Sequence, residues 1–402
     1  MKILMVNKFL YPRGGCETYM LSLGEQLAKC GHEVEYFGMF DEQNTVGNTA
    51  GQYTQNMDFH SKGLERFLYP FKIVFSLEAK KKLLRVIDAF KPDIIHMNNI
   101  NFQLTPSIIY AAKKRNVPVV QTVHDYQMIC PNHLLYNFDH NVICEACLKG
   151  SYGTCVKNKC IHGSRVKSVI GAIEARLYSL LKTYQKVDLY ICPSYFLEEK
   201  LLAAKELYQG KTKTIHNFIS KNEFEASGEN AKPYIAFAGR LSKEKGIELL
   251  AQTAKLLPEY TFAVAGSGPD EELLNAIENV KRVGFLTGEK LRNFMGNAKL
   301  LVVPSIWYEN CPLSILESQS FGVPVVTMNH GGMAELVEDG VSGILLQEVS
   351  PEHMAEKLRK AMEDESYYRT LKENCEKGKN DILTVETYCD ILMKEYETLV
   401  AR

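Results

Sequence analysis

Short apolar runs separated by amphipathic stretches recur along most of this 402-residue chain. Lys2 to Val6 predicts a buried strand, and Asn7 to Gly15 a turn-rich loop ending in two glycines. Tyr19, Leu23 and Leu27 fall on one face of a helix that runs to about Lys29 and stops at Gly31. Val34 to Phe37, Pro92 to His96, Val117 to Val123, Val187 to Cys192 and Thr212 to Ile215 predict further strands. Between them, helices are expected from Val166 to Tyr184 and, capped by Ser194, as far as Leu207. After the polar stretch 220–232 the alternation restarts, with strands at Tyr234 to Ala238, Thr261 to Ala265, Val280 to Phe285 and 300–303. Helices are expected at Glu244 to Leu256, Asp270 to Asn279, Glu289 to Asn297, from about Pro312, at Pro351 to Met362 and at Val385 to Val400.

Runs this short and β-branched suit parallel strands covered on both faces. Two successive arrays predict an α/β protein with two doubly wound domains facing each other across a cleft. The boundaries expected are residues 1–216 for the first domain, with an irregular insertion at about 126–165, then a linker at 217–232 and a second domain at 233–384. The helix in 385–402 is long enough to pack back on the first domain. A chain of this length exceeds one comfortable core, which agrees with two domains.

Composition is that of a globular protein, but the formal net charge of −1 hides an asymmetry. Residues 1–215 hold 27 Lys+Arg against 19 Asp+Glu, and the remainder holds 20 against 29. The basic half points to an anionic partner such as a membrane surface. No basic block or aromatic-basic ladder argues for nucleic acid. The apolar start is too short for a signal peptide, and no run is long enough to span a bilayer. A cytoplasmic protein, peripheral at most on the inner face of the plasma membrane, is expected. In the segment from Leu64 to Phe90, Lys72, Lys80, Lys81, Lys82 and Arg85 alternate with Phe67, Phe71, Leu83 and Leu84. It reads either as a packed helix with a solvated basic face or as a membrane-surface helix.

Candidate chemistry clusters at predicted strand ends. Gly14-Gly15 lacks dinucleotide spacing but lets backbone N–H groups approach a phosphate. His96 and His124 each end a strand, where ligands bind in open α/β sheets. After Ala238 comes Gly239-Arg240-Leu241-Ser242-Lys243-Glu244-Lys245-Gly246, in which Arg240 can fork anionic oxygens and Lys245 add a point charge. Gly266 and Gly268 form another close-approach loop. Glu309 and Glu317 flank Asn310-Cys311-Pro312, the first in a loop and the second inside the following helix. Cys144, Cys147, Cys155 and Cys160 have a spacing open to a structural zinc or to free thiols.

Taken together, these motifs resemble, in order and spacing, the retaining, GT-B-fold glycosyltransferases of family 4, over the whole chain. The resemblance implies that Gly14 and Gly15 shape a loop beside the donor phosphates and that His124 contacts the donor sugar. Arg240 and Lys245 would neutralise the diphosphate leaving group in place of a metal, so no cofactor is required for catalysis. Glu309 would bind sugar hydroxyls, the backbone N–H groups of the stretch from Cys311 to Ser314, where Pro312 turns the chain into Leu313, would face the phosphates, and Glu317 would hold the ribose. Asn217, Gly239, Gly266 and Gly268 join the donor-binding set. Asn310-Cys311-Pro312 departs from the Gly and Phe of many members, and the form with Trp307 and Asn310 is similar to transferases of capsule and exopolysaccharide assembly. The implied reaction moves a hexose from a nucleotide diphosphate sugar to a glycan or lipid-linked acceptor by front-face substitution. Two alternatives share the architecture: a sugar-nucleotide epimerase and a non-catalytic sugar-nucleotide-binding regulator.

Overall fold

In the computed structural model, which describes residues 1–56, 73–219 and 233–402, the apolar runs of the sequence form two six-stranded parallel sheets. The chain divides into one unit of Met1–His216 with Val385–Arg402 and a second of Asn217–Thr384.

The first unit contains β1 (Lys2–Val6), α1 (Gly15–Lys29), β2 (Glu33–Phe37), α2 (Leu77–Phe90), β3 (Ile94–Met97), α3 (Ile109–Lys114) and β4 (Val119–Thr122). An irregular insertion follows, with a hairpin of β5 (Tyr136–Asn137) and β6 (Val142–Ile143), then α4 (Gly153–Lys157). Next come α5 (Arg165–Leu180), β7 (Leu189–Cys192), α6 (Tyr195–Ala204) and β8 (Thr212–Thr214). The sheet order is β2-β1-β3-β4-β7-β8. Chain direction across the sheet reverses between β1 and β3, which makes the loops after those two strands the natural ligand crevice.

The second unit contains β9 (Tyr234–Ala238), α7 (Ile247–Leu256), β10 (Thr261–Ala265), β11 (Val280–Gly284), α8 (Gly288–Gly296) and β12 (Leu300–Val303). It continues with α9 (Leu313–Ser320), β13 (Val325–Met328), β14 (Gly343–Leu346), α10 (Pro351–Glu363) and α11 (Glu365–Gly378). Its order, β11-β10-β9-β12-β13-β14, puts the reversal between β9 and β12. The final helix, α12 (Val385–Val400), belongs to the first unit. Its Tyr388 hydroxyl lies 2.7 Å from that of Tyr19, and its Tyr396 hydroxyl 2.5 Å from His96 Nδ1.

Several expectations change. The helix expected over Asp270 to Asn279 is only a 3₁₀ turn at Glu271–Leu274, while α3 and α11 appear where no helix was expected. Residues 64–72 of the basic segment and the linker 220–232 lie outside the described residues. The described part of the basic segment, α2, buries Ala79, Leu83, Val86, Ile87 and Phe90. Lys82 is tied down by Glu78 at 2.8 Å, so α2 is a packed helix with a solvated basic side. No helix among the described residues is long and apolar enough to cross a membrane.

Candidate functional site

Loop conformation in the second unit is dictated by backbone contact between successive strand ends. Gly239 N–H donates to Ala265 O at 3.0 Å and Leu241 N–H to Ser267 O at 3.0 Å, which laces the loop after β9 to the loop after β10. Gly266 has φ of +140°, and a Cβ there would lie 1.8 Å from the Gly239 carbonyl oxygen. Only glycine fits such a position. Gly268 passes Leu241 almost as closely. After the 3₁₀ turn Lys243–Lys245, Gly246 adopts φ of +75° and starts α7, with its Cα against the Pro304 carbonyl. This brings the β9 loop against the start of the β12 loop.

That contact delivers Lys245 to Glu309. The ammonium forms an ion pair with Glu309 Oε1, which also accepts from Ser305 Oγ at 2.9 Å and Trp307 Nε1 at 2.9 Å. The Lys245 Nζ stands 5.6 Å from the Trp307 ring centroid. Burial pushes the Glu309 carboxyl up, but the Lys245 charge and the three hydrogen bonds outweigh it and hold the group below its ordinary value. Glu309 is therefore an anion at neutral pH, fit to accept hydrogen bonds from hydroxyls. Its carbonyl accepts from Gly332 N–H at 2.7 Å, which pins the loop from the far side.

Helix α9 begins directly after this loop. Its N-cap is Pro312, which makes no side-chain capping bond. The first-turn N–H groups, Leu313 and Ser314 among them, are thus left for an incoming acceptor. Asn217 is bound to this corner: its N–H reaches Cys311 Sγ at 3.4 Å and its Nδ2 donates to Cys311 O at 2.8 Å. The Asn217 Oδ1 is buried with no hydrogen-bond partner among the described residues. Within α9, burial pushes the Glu317 carboxyl up to about 7, with Arg292 of α8 opposing the shift. Arg240 is exposed and takes no part in the Lys245–Glu309 pair.

The first unit has a different chemistry. His124, past the end of β4, sits with Nε2 3.0 Å from Asn98 Oδ1 and its ring edge-on to Tyr19 at 5.0 Å. Burial lowers it to about 4, against the pull of Asp125, so the imidazole is neutral at pH 7. His96 does not face a ligand: it lies inside β3, is fully buried, and bridges Tyr396 and Thr122. Burial, with a smaller contribution from His124, lowers it to about 3. Its position at the strand's third residue turns it toward α12 instead of the crevice. Gly14 caps α1 in an extended conformation, and a Cβ there would meet nothing closer than Glu17 Oε2 at 3.5 Å. Nothing in the protein itself demands a glycine at that point.

A polar network beside His124 was not legible as a site in the sequence. Lys8 Nζ donates to Asn101 Oδ1 at 3.0 Å, and Asn101 Nδ2 donates to Asp125 Oδ2 at 2.7 Å and lies 3.0 Å from His133 Nδ1. Asn7 Oδ1 accepts from Asn99 N–H at 2.9 Å, joining the loops after β1 and β3. The run Asn98-Asn99-Ile100-Asn101 after an apolar strand was the available signal. In the second unit Ser305 was missed; a hydroxyl four residues before Glu309 carries little signal on its own.

The four expected zinc ligands lie in one region of the insertion, where Cys147 has Cys130, Cys160 and Cys144 as electrostatic neighbours and a hydrogen bond with the backbone of Cys155. No group of three or more His, Cys, Asp or Glu side chains among the described residues is arranged to hold a metal ion. Cys155 and Cys160 share a hydrogen bond, and Cys147 and Cys155 are buried with Tyr152 against Ile161, Ala172 and Ala175. Cys144 is near Cys147 but outside this apolar packing, with its N–H donating to Leu135 O at 2.8 Å.

Comparison with known proteins connects both units to one chemistry. A family model described as Glycosyltransferase Family 4 matches residues 13–223, and one described as Glycosyl transferases group 1 matches residues 219–378. An uncharacterised 42.6 kDa protein in the cps region of Klebsiella pneumoniae is 26% identical over 84% of this chain and 87% of its own length. An uncharacterised glycosyltransferase of Methanocaldococcus jannaschii, MJ1607, is 24% identical over 94% of this chain and 93% of its own. The fold is shared with the crystal structure of Anabaena Alr3699/HepE in complex with UDP and glucose, at a TM-score of 0.70 and 20% identity, over 99% of this chain and 100% of that one.

Proposed function

Since the chain belongs to glycosyltransferase family 4, with the GT-B fold, we propose that it moves a hexose from a nucleoside diphosphate sugar to a lipid-linked glycan, retaining the anomeric configuration. The reading places this step in surface polysaccharide assembly at the inner face of the plasma membrane, and the cps-region relative supports that setting. The observation that carries the reading is the Lys245–Glu309 pair beside the uncapped start of α9. It offers a cation for a diphosphate, N–H groups for phosphate oxygens and an anionic acceptor for sugar hydroxyls within one corner. The UDP and glucose bound by the Anabaena protein make UDP-glucose the first donor to test.

In the proposed step the bond from the anomeric carbon to the phosphate oxygen breaks as the acceptor oxygen bonds to that carbon on the same face. The acceptor's hydroxyl proton passes to the departing phosphate. Arg240 and Lys245 stabilise the charge that develops on the diphosphate, so the step calls on no metal. Glu309 holds sugar hydroxyls, neutral His124 contacts the donor sugar, and Glu317 holds the ribose.

The test is release of nucleoside diphosphate from a panel of nucleotide sugars with and without a lipid-extract acceptor. Acceptor-dependent release, abolished in Lys245→Ala and Glu309→Ala, is expected. Normal turnover in both variants would sink the assignment, and conversion of the donor without acceptor would favour an epimerase.

A further inference from the structure

Helix α5 has two unlike faces. Ser168, Gly171, Glu174 and Tyr178 point into the first unit, and a Cβ on Gly171 would lie 2.4 Å from Ile161 Cδ1. The opposite face is apolar and bare. Val166, Val169, Ile173 and Leu180 are 71%, 39%, 53% and 67% exposed. Their spacings of three, four and seven align them in one stripe. Of the fifteen exposed large hydrophobic side chains among the described residues, five fall between Val166 and Leu181. Beside the stripe an open groove of about 660 Å³ separates α5 from α4, with Tyr152, Val156, Ala172 and Leu177 in its walls. A stripe this continuous on a soluble surface marks an interaction site.

Charge identifies the occupant. Residues 157–186 contain seven Lys+Arg and one acid, Glu174, which is only 3% exposed. Burial pushes the Glu174 carboxyl up to about 8, so it contributes little negative charge at neutral pH. Arg165 and Arg176 are exposed beside the stripe, four residues before Val169 and three after Ile173, and Lys167 and Lys182 are exposed near the two ends of the helix. Cations flanking an apolar face, with no exposed acid on the segment, are the pattern of a helix lying in the interface of an anionic bilayer. A protein partner of ordinary mixed charge would find no acid here to pair with its own cations.

We propose that α5, with the adjoining end of the cysteine-containing insertion, docks on an anionic lipid bilayer. Val166, Val169, Ile173 and Leu180 enter the boundary between headgroups and acyl chains, while Arg165 and Arg176 meet lipid phosphates. The helix lies along the surface for about 24 Å, its full length at 1.5 Å per residue. The inference rests on the membrane setting of the proposed function and gives that setting a surface on the molecule. The sequence expectation of membrane attachment looked to Lys80 to Lys82 of α2 and to the lysines of the insertion; the exposed apolar stripe of α5 lies beside the latter.

The test is co-sedimentation of the full chain with vesicles of phosphatidylcholine alone or mixed with phosphatidylglycerol, without nucleotide sugar. Retention on the anionic vesicles is expected, weakened by salt at about 0.5 M. The pairs Ile173→Asp with Leu180→Asp and Arg165→Glu with Arg176→Glu should each lower retention roughly tenfold. Far-UV circular dichroism and the thermal midpoint should stay as in the parent. Undiminished retention in both pairs would overturn the inference, as would equal binding to neutral vesicles. So would a solution dimer that the Asp pair dissolves while vesicle retention is unchanged. Nucleoside diphosphate release to a detergent-solubilised acceptor reads the proposed function separately. Retention on vesicles with no transfer from any donor would overturn that function and leave the membrane surface standing.

Discussion

The two units place opposite electrostatics at equivalent points of similar sheets. In the second unit the loops after β9 and β12, which flank the reversal of strand order, hold a compensated pair of full charges in Lys245 and Glu309. In the first unit the loops after β1 and β3 are joined by Asn7, Asn99 and Asn101, and the histidines nearby are kept neutral by burial. A diphosphate needs fixed positive charge and exposed N–H groups, which the second unit supplies. On the proposed function, sugar and acceptor hydroxyls would meet the asparagines and neutral imidazoles of the first unit, with Lys8 and Asp125 held on Asn101 beside them. One architecture thus carries two different sets of crevice side chains, which the proposed function would use for two recognition tasks.

The sharpest way to break this contrast is to remove the charge. Lys245→Ala leaves Glu309 buried without its cation and should lower turnover by about a thousandfold, with a loss of stability of about 3 kcal/mol. Glu309→Gln, which keeps the volume, should lose turnover but little stability. Nucleoside diphosphate release and urea unfolding measure the two separately. If Lys245→Ala lost stability alone, the charged corner would be structural.

Backbone substitution should separate the units next. Gly266→Ala forces a methyl group into the Gly239 carbonyl and should cost about 3 kcal/mol. Gly14→Ala meets only an ordinary contact with Glu17 Oε2 at 3.5 Å and should change stability by less than about 0.5 kcal/mol. Its effect should instead appear as a raised KM for donor or acceptor. A large stability loss at Gly14 would mean that its loop is built by self-packing, as in the second unit.

Neutral burial in the first unit predicts a pH signature. The unfolded chain protonates His96 near its ordinary value of 6.5, whereas the folded chain resists protonation until about 3. The unfolded state thus binds more protons between those values, and stability falls as pH falls through that window. From pH 7 to pH 5 this one group should cost about 2 kcal/mol, a loss absent in His96→Gln. Urea unfolding at the two pH values checks it. Glu174 acts in the other direction: its raised carboxyl costs stability as pH rises from about 4.5 towards 8.

The smallest contrast lies inside the insertion. Cys155→Ser puts a hydroxyl into the packing of Tyr152, Ile161 and Ala172 and should cost about 1–2 kcal/mol by thermal unfolding. Cys144→Ser, outside that packing, should cost less than about 0.5 kcal/mol. Equal and large losses would instead point to one shared four-thiol site.

Some of this was legible from local pattern. The strands of both sheets stood out because β-branched runs bounded by glycine and proline can be buried on both faces, a property that needs no tertiary context. The helix expected over Asp270 to Asn279 shows the limit of that logic, because the segment buries little more than Leu274 and Ile277 and settles for one turn. His96 and His124 look alike in the chain, each at the end of an apolar run. A register one residue inside β3 hands the first to Tyr396 of α12, while the second clears β4 and meets Asn98.

The sequence by itself determined the alternation of strands and helices, the glycines at the crevice loops and the identities of Arg240, Lys245, Glu309 and Glu317 as candidate groups. These follow from short-range sterics, side-chain period and residue chemistry. Only the tertiary structure decided which of them meet. Lys245 and Glu309 are sixty-four residues apart and pair because β9 and β12 are neighbours in the sheet. Cys147, Cys155 and Cys160 are gathered by packing against α5, with Cys144 beside Cys147 but outside that packing. The bare stripe on α5 was invisible for the same reason: a helical apolar face reads identically whether a sheet covers it or water does, and only the packed structure says which.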